Sequence, residues 1–178
     1  MDETESRFSR QEVKTLCEKA AAAGAAKLHA EIERAAKARK AEQYRNTKTL
    51  LDNYRRIKAC ADGDGKGADI LDGVELRRGN ERITLAGIGE NALCVLAGHL
   101  DRMLNAYGDF CAGAASPVMN RRYGVLCCLY IDAERMTAKQ AACQLNVTPR
   151  QIHADAKAAR EDMRQLLYGV SAFLEDLQ

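Results

Sequence analysis

Thr137 to Leu167, TAKQAACQLNVTPRQIHADAKAAREDMRQLL, decides the fold. Thr137 is a good N-cap residue for a short helix over Ala138 to Gln144. Ala141 and Ala142 are small and allow a second helix to approach closely. Asn146 stands between Leu145 and Val147, where a tight corner needs a left-handed backbone that Gly meets best and Asn next. Thr148 then caps a longer helix, with Pro149 at its first position. Two helices joined in this way outline a helix-turn-helix, which lays its second helix in the major groove of DNA.

The second helix divides into two sides. Ile152, Ala156, Ala159, Met163, Leu166 and Leu167 point inward. Arg150, Gln151, His153, Lys157 and Arg160 are expected on the exposed side. An Arg forks onto guanine and a Gln pairs with adenine, so that side suits base-edge reading. Thr148, Arg150, Gln151, His153 and Lys157 are the expected base contacts. Thr137, Lys139, Gln140 and Arg160 are the expected backbone contacts, which position without specifying. The alternative is a plain helical hairpin with a polar face.

Outward from this stretch, the chain of 178 residues is rich in Ala, has two prolines and no Trp, and leans to an all-α fold. Ser6 to about Ala61 reads as one long helix with an interruption expected at Gly24. Its apolar residues are sparse until Leu50, Leu51, Tyr54 and Ile57, and its repeat is too irregular for a coiled coil. Such a helix must pack on the chain, a second copy or another protein. Asp62 to Gly67, DGDGKG, resembles the start of a calcium loop. The pattern then fails at Asp69 and Gly73, so a flexible acidic turn is expected. Arg82 to Ala86 reads as a small strand without an evident partner. Residues 90–107 form a helix with Leu93, Leu96, Leu100, Met103, Leu104 and Tyr107 on one face. Residues 108–116 read as a linker, and Pro117 to Ile131 as a helix burying Val118, Val125, Leu126, Leu129 and Tyr130. Three stretches follow: a basic helix over 1–61, a Gly-rich connector with a helix over 62–116, and the helix-turn-helix domain over 117–178.

Charge is uneven although the net is only +2. Residues 1–60 carry 14 Lys and Arg against 9 Asp and Glu, while 61–116 carry 5 against 9. A basic excess of that kind follows a phosphate backbone or an acidic partner, or is a solvated helix face. The seven cysteines have no C-x-x-C spacing, and Cys127-Cys128 diverge on a helix. Small buried thiols in a reduced, cytoplasmic protein are expected. No apolar run is long enough to span a membrane. His29, His99 and His153 have no paired nucleophile or second ligand, so neither an enzyme nor a metal or other cofactor is expected.

RRYGVLCCLYID (121–132), MTAKQAACQLNVTPRQIHADAKAAREDM (136–163) and LLYG (166–169) resemble region 4 of sigma-70-type factors. More narrowly they resemble phage and prophage regulators of the ArpU type. RNTKTLLDNYRRIKA (45–59) is similar to the basic helix that precedes the sigma-like half of such regulators. The resemblance implies a bacterial or phage transcription regulator whose partners are double-stranded promoter DNA and RNA polymerase, with a homodimer as one assembly. No segment resembles the DNA-melting region of a sigma factor, so the resemblance implies a promoter-docking module. Two alternatives from the same motif are a DNA-packaging protein of the small-terminase kind and an antitermination accessory protein. A structural coiled-coil protein is a further one.

Overall fold

The computed structural model describes residues 9–63 and 70–169. It is 79% helical, with six α-helices and one small two-stranded sheet, so the fold is all-α.

Helix α1 runs from Arg10 to Asp52, about 65 Å at 1.5 Å per residue. Ser9 and Glu12 start it as a capping box: the Ser9 hydroxyl accepts from the Glu12 N–H at 3.3 Å, and the Glu12 carboxylate accepts from the Ser9 N–H at 2.7 Å. The expected interruption at Gly24 does not occur. A mid-helix Gly costs only about 1 kcal/mol, too little to break a helix of this length. The interruption lies at Asn53, whose side-chain amide donates to the Thr49 carbonyl at 2.9 Å and competes with the helical ladder. Helix α2, Tyr54–Ala61, follows at once. Residues 10–35 of α1 are exposed throughout. Burial begins at Ala36 and deepens through Gln43, Asn46, Thr47, Leu50 and Leu51.

The expected strand has a partner. Strands β1 (Glu75–Arg78) and β2 (Glu81–Thr84) pair antiparallel, with Leu76 opposite Ile83 and Arg77 opposite Arg82. Gly79, at φ +62°, makes the tight connection possible. Four residues with three charges hid β1 from an apolar-pattern reading. Asn46 of α1 pins the hairpin by donating to the Arg77 carbonyl at 2.6 Å and accepting from the Arg77 N–H at 2.9 Å.

Helix α3 extends from Glu90 to Gly113. Most of the expected linker 108–116 is therefore helical. Gly108 reads as a breaker, yet its missing side chain lets the Tyr123 ring pack: a Cβ there would lie 2.8 Å from Tyr123 Cζ. The chain turns only past Gly113, with Ala115 at φ +47°. Helix α4 spans Pro117–Leu126 and passes into a π-helical turn over Cys127–Ile131. Arg55 of α2 donates to the carbonyls of Leu129 and Asp132 at the end of that turn. Val118, expected on the buried side, is exposed. Helices α5 (Ala138–Gln144) and α6 (Pro149–Tyr168) complete the described chain.

Three apolar clusters hold these elements. The first joins the end of α1 and α2 to the hairpin and α3 through Leu50, Ile57, Val74, Leu85 and Leu100. The second joins α1, α3, α4 and α6 through Leu51, Leu104, Tyr107, Leu126, Ala159 and Met163. The third is the helix-turn-helix core, with Val125, Cys128, Ala141, Ala142, Ile152 and Ala156. All seven cysteines are free. Burial pushes the thiols of Cys111, Cys127 and Cys128 up, so they stay protonated and inert. Cys17, Cys94 and Cys143 are exposed, contrary to the expectation of buried thiols. Among the described residues no helix is long and apolar enough to cross a membrane. Most of the Asp62 to Gly67 turn, and residues 170–178 of the C-terminal stretch, lie outside the described residues.

Candidate nucleic-acid interface

The third cluster fixes α5 against α6. Thr137 and Gln140 form a capping box: Gln140 N–H donates to the Thr137 hydroxyl at 3.3 Å, and Gln140 Oε1 accepts from the Thr137 N–H at 2.8 Å. Asn146 takes φ +52° at the corner, the left-handed geometry its place in the sequence called for. The Thr148 hydroxyl then accepts from the Gln151 N–H at 3.2 Å and starts α6 behind Pro149. Gly124 of α4 lies under Leu145, where a Cβ would approach Leu145 Cδ2 to 3.3 Å. The corner is thereby seated on α4.

The first two turns of α6 present an open face. Arg150, His153 and Lys157 are exposed, and none has a hydrogen bond or ion pair among the described residues. Spacings of three and four residues put them on one side of the helix. Lys139, on the exposed side of α5, is likewise without a partner among the described residues. Thr137, Gln140 and Thr148 are also exposed, with their side chains engaged in the caps.

Two expected surface groups are placed differently. Gln151 is half-buried, and its amide donates to Asp155 Oδ1 at 2.9 Å. Asp155 is 3% exposed and receives Arg121 Nε of α4 at 2.6 Å. That hydrogen bond raises the Arg121 pKa. Gln151 is thus one turn above a buried carboxylate, which draws its amide sideways. Arg160 is turned inward as well. Its Nε donates to the Tyr44 hydroxyl at 3.1 Å and its Nη1 to the Tyr130 hydroxyl at 2.8 Å. The guanidinium lies 5.8 Å from the Tyr44 ring centroid. Arg160 therefore joins α6 to α1 and to the π turn and is not on the open face.

Residues not singled out from the sequence hold this arrangement. Arg164 is fully buried, donating to Gln43 Oε1 of α1 at 2.8 Å and to Glu161 at 3.0 and 3.1 Å. Tyr44 and Gln43 meet α6 from the long helix. The signal for Asp155 was present: a carboxylate beside Ala156 and three residues after Ile152, on the side expected to be buried, requires a cation. The signal for Arg164 was absent, because nothing in the local pattern shows that α1 covers the second half of α6.

A groove of about 600 Å³ runs between α1 and α6, lined by Lys37, Lys40, Arg45, Lys48 and Lys157 with Glu161 as the one carboxylate. A second groove shares Lys48 and continues past Arg135 to Thr137 and His153. Basic groups therefore border the open face of α6 on its α1 side. Among the described residues no cluster of His, Cys, Asp or Glu could hold a metal ion. Compared with protein-family models, curated proteins and solved structures, the chain has no match.

Proposed function

We propose that this chain is a sequence-specific DNA-binding regulator of transcription that docks on promoter DNA through α5 and α6. The observation that carries the reading is the start of α6. A corner at Asn146 and a cap at Thr148 deliver Arg150, His153 and Lys157 on one exposed, unpartnered face. Arg150 is the base-reading residue of choice, since a guanidinium forks onto guanine. Lys157 and Lys139 suit phosphates. Gln151 can read adenine only by leaving Asp155, so it ranks below Arg150. Arg160 acts as a positioning residue through Tyr44 and Tyr130. The resemblance to sigma region 4 and to ArpU-type regulators supports a phage or prophage setting and RNA polymerase as a further partner.

Selection of bound duplexes from a randomised pool tests the reading. A recovered consensus supports it, and recovery of no enriched sequence sinks it. Against that consensus, Arg150→Ala should cost about 1–3 kcal/mol of discrimination at one base pair. Equal selectivity of the variant would remove Arg150 from the reading set. Affinity should fall steeply with salt, because phosphate contacts release counterions.

A further inference from the structure

We infer that α1 carries a second DNA-binding element, a lysine and arginine track over residues 37–48 that grips the phosphate backbone beside the bases read by α6. The inference rests on the DNA-docking reading and adds residues that the helix-turn-helix does not contain.

Lys37, Lys40, Tyr44 and Lys48 recur every three or four residues and share one face of α1, with Arg45 at its edge. That face lines the groove whose other wall includes Lys157 of α6. The open face of α6 and the track are therefore neighbours on one side of the molecule. From Lys37 to Lys48 the track runs about 16 Å along the helix. That distance spans several phosphates of one strand, at about 3.4 Å of duplex axis each.

Three of the groove's cations are paired with carboxylates. Lys37 faces Glu33 at 3.8 Å and Lys40 faces Glu161 at 3.6 Å, both at the protein surface. Pairs of this kind are weak and yield readily to a phosphate. Lys48 pairs with Asp52 at 2.8 Å. Arg45 and Lys157 have no partner among the described residues. Separate lysines make a solvated helix face; here five cations, three of them paired with carboxylates, line one groove built by two helices. A duplex phosphate backbone is a linear array of negative charge and matches that track in sign and in shape.

Other side chains of this part of α1 fix its place in the fold. Asn46 and Glu42 hold the hairpin, the latter accepting from the Gly79 N–H at 2.8 Å. Arg164 and Arg160 lock α1 onto α6 through Gln43 and Tyr44. The track thus keeps a fixed position relative to Arg150, and a fixed position is what lets backbone contacts set register.

The test uses the full chain and a random-sequence duplex about three helical turns long, with affinity followed from about 50 to 200 mM salt. Lys37→Gln combined with Arg45→Gln alters two exposed side chains. It should make the slope of log affinity against log salt shallower by about 1.8, at roughly 0.9 for each phosphate no longer neutralised. The charge-conserving pair Lys37→Arg with Arg45→Lys should keep the wild-type slope. A Gln double variant with the wild-type slope, or a charge-conserving pair that departs from it, overturns the track and leaves the α6 reading standing. A wild-type chain that binds no duplex at the lowest salt overturns the α6 reading, and the track falls with it.

Discussion

The two halves of α6 carry similar residues in different surroundings. Arg150, His153 and Lys157 in the first half are exposed and unpartnered among the described residues. Arg160, Glu161 and Arg164 in the second half continue nearly the same side of the helix and are covered by α1. The difference arises from what packs above each half and not from the residue types. An arginine beneath another helix is a structural tie, and an arginine beyond the end of that cover is available to a ligand.

The largest effect is expected from truncating an arginine in the covered half. Arg164→Ala removes a fully buried side chain and its bonds to Gln43 and Glu161. The loss should be about 3–4 kcal/mol, from the cavity and the stranded amide together. Arg150→Ala should stay within about 0.5 kcal/mol of wild type. Urea unfolding followed by circular dichroism measures both. Arg164→Met fills the space without the bonds and should recover part of the loss. Equal damage by Met and Ala would assign the tie to hydrogen bonding alone, and no damage from either would refute the covered-half reading.

Asp155→Ala is expected next in size. It strands the Arg121 guanidinium on α4 and frees the Gln151 amide. Because Arg121 retains some solvent contact, the cost should be about 2–3 kcal/mol, below that of a fully buried pair. In the same variant a freed Gln151 becomes available on the open face. A changed base preference in the selected duplexes would show that Asp155 holds Gln151 back from DNA. An unchanged preference would show that Gln151 never contributes.

Much of the open half was legible in the sequence because its signals are local. Thr137, Asn146, Thr148 and Pro149 act within one turn of their own position, and the structure places them as caps, corner and first helical residue. The covered half was not legible, because its partners are far along the chain. Arg164 meets Gln43 and Arg160 meets Tyr44 across more than a hundred residues. The stretch over 45–59 shows the same limit. Asn46 fastens the hairpin, Tyr54 donates to Asp101 at 2.6 Å and Arg55 closes the π turn, and none of these partners is near in sequence. Gly24 and Gly108 misled in the opposite direction. Glycine signals a break only when no packing or helix length overrides its propensity.

Raising the pH probes the covered half through Tyr107. Tyr107 of α3 donates to Asp162 of α6 at 2.8 Å, and burial together with that carboxylate raises its pKa strongly. A raised folded pKa means that its contribution is complete below the unfolded value, near 10, and is lost as pH climbs towards the folded one. One such tyrosine removes about 1.4 kcal/mol per pH unit above that point. Tyr54, raised by burial and by Asp101, acts with the same sign. Unfolding curves between neutral pH and about 11 should therefore show a steep alkaline loss. Tyr107→Phe should be less stable at neutral pH and show a shallower alkaline limb. An unchanged limb would remove Tyr107 from the account.

The smallest effect is expected at the corner that starts the open half. Asn146 sits at φ +52° with its side chain exposed. An L-residue with a Cβ and no polar side chain pays about 1–2 kcal/mol in that conformation, and Asn offsets part of this by local hydrogen bonding. Asn146→Ala should therefore cost about 1 kcal/mol, and Asn146→Gly should be neutral to within a few tenths. Because α6 is tied to α1 by Arg160 and Arg164, straining the corner should shift α5 and leave α6 in place. The Ala variant should then weaken contacts made by Lys139 more than those made by Arg150. Its duplex affinity should drop while its selected sequence stays the same. A changed sequence would mean that the corner, and not the covered half, sets where α6 points.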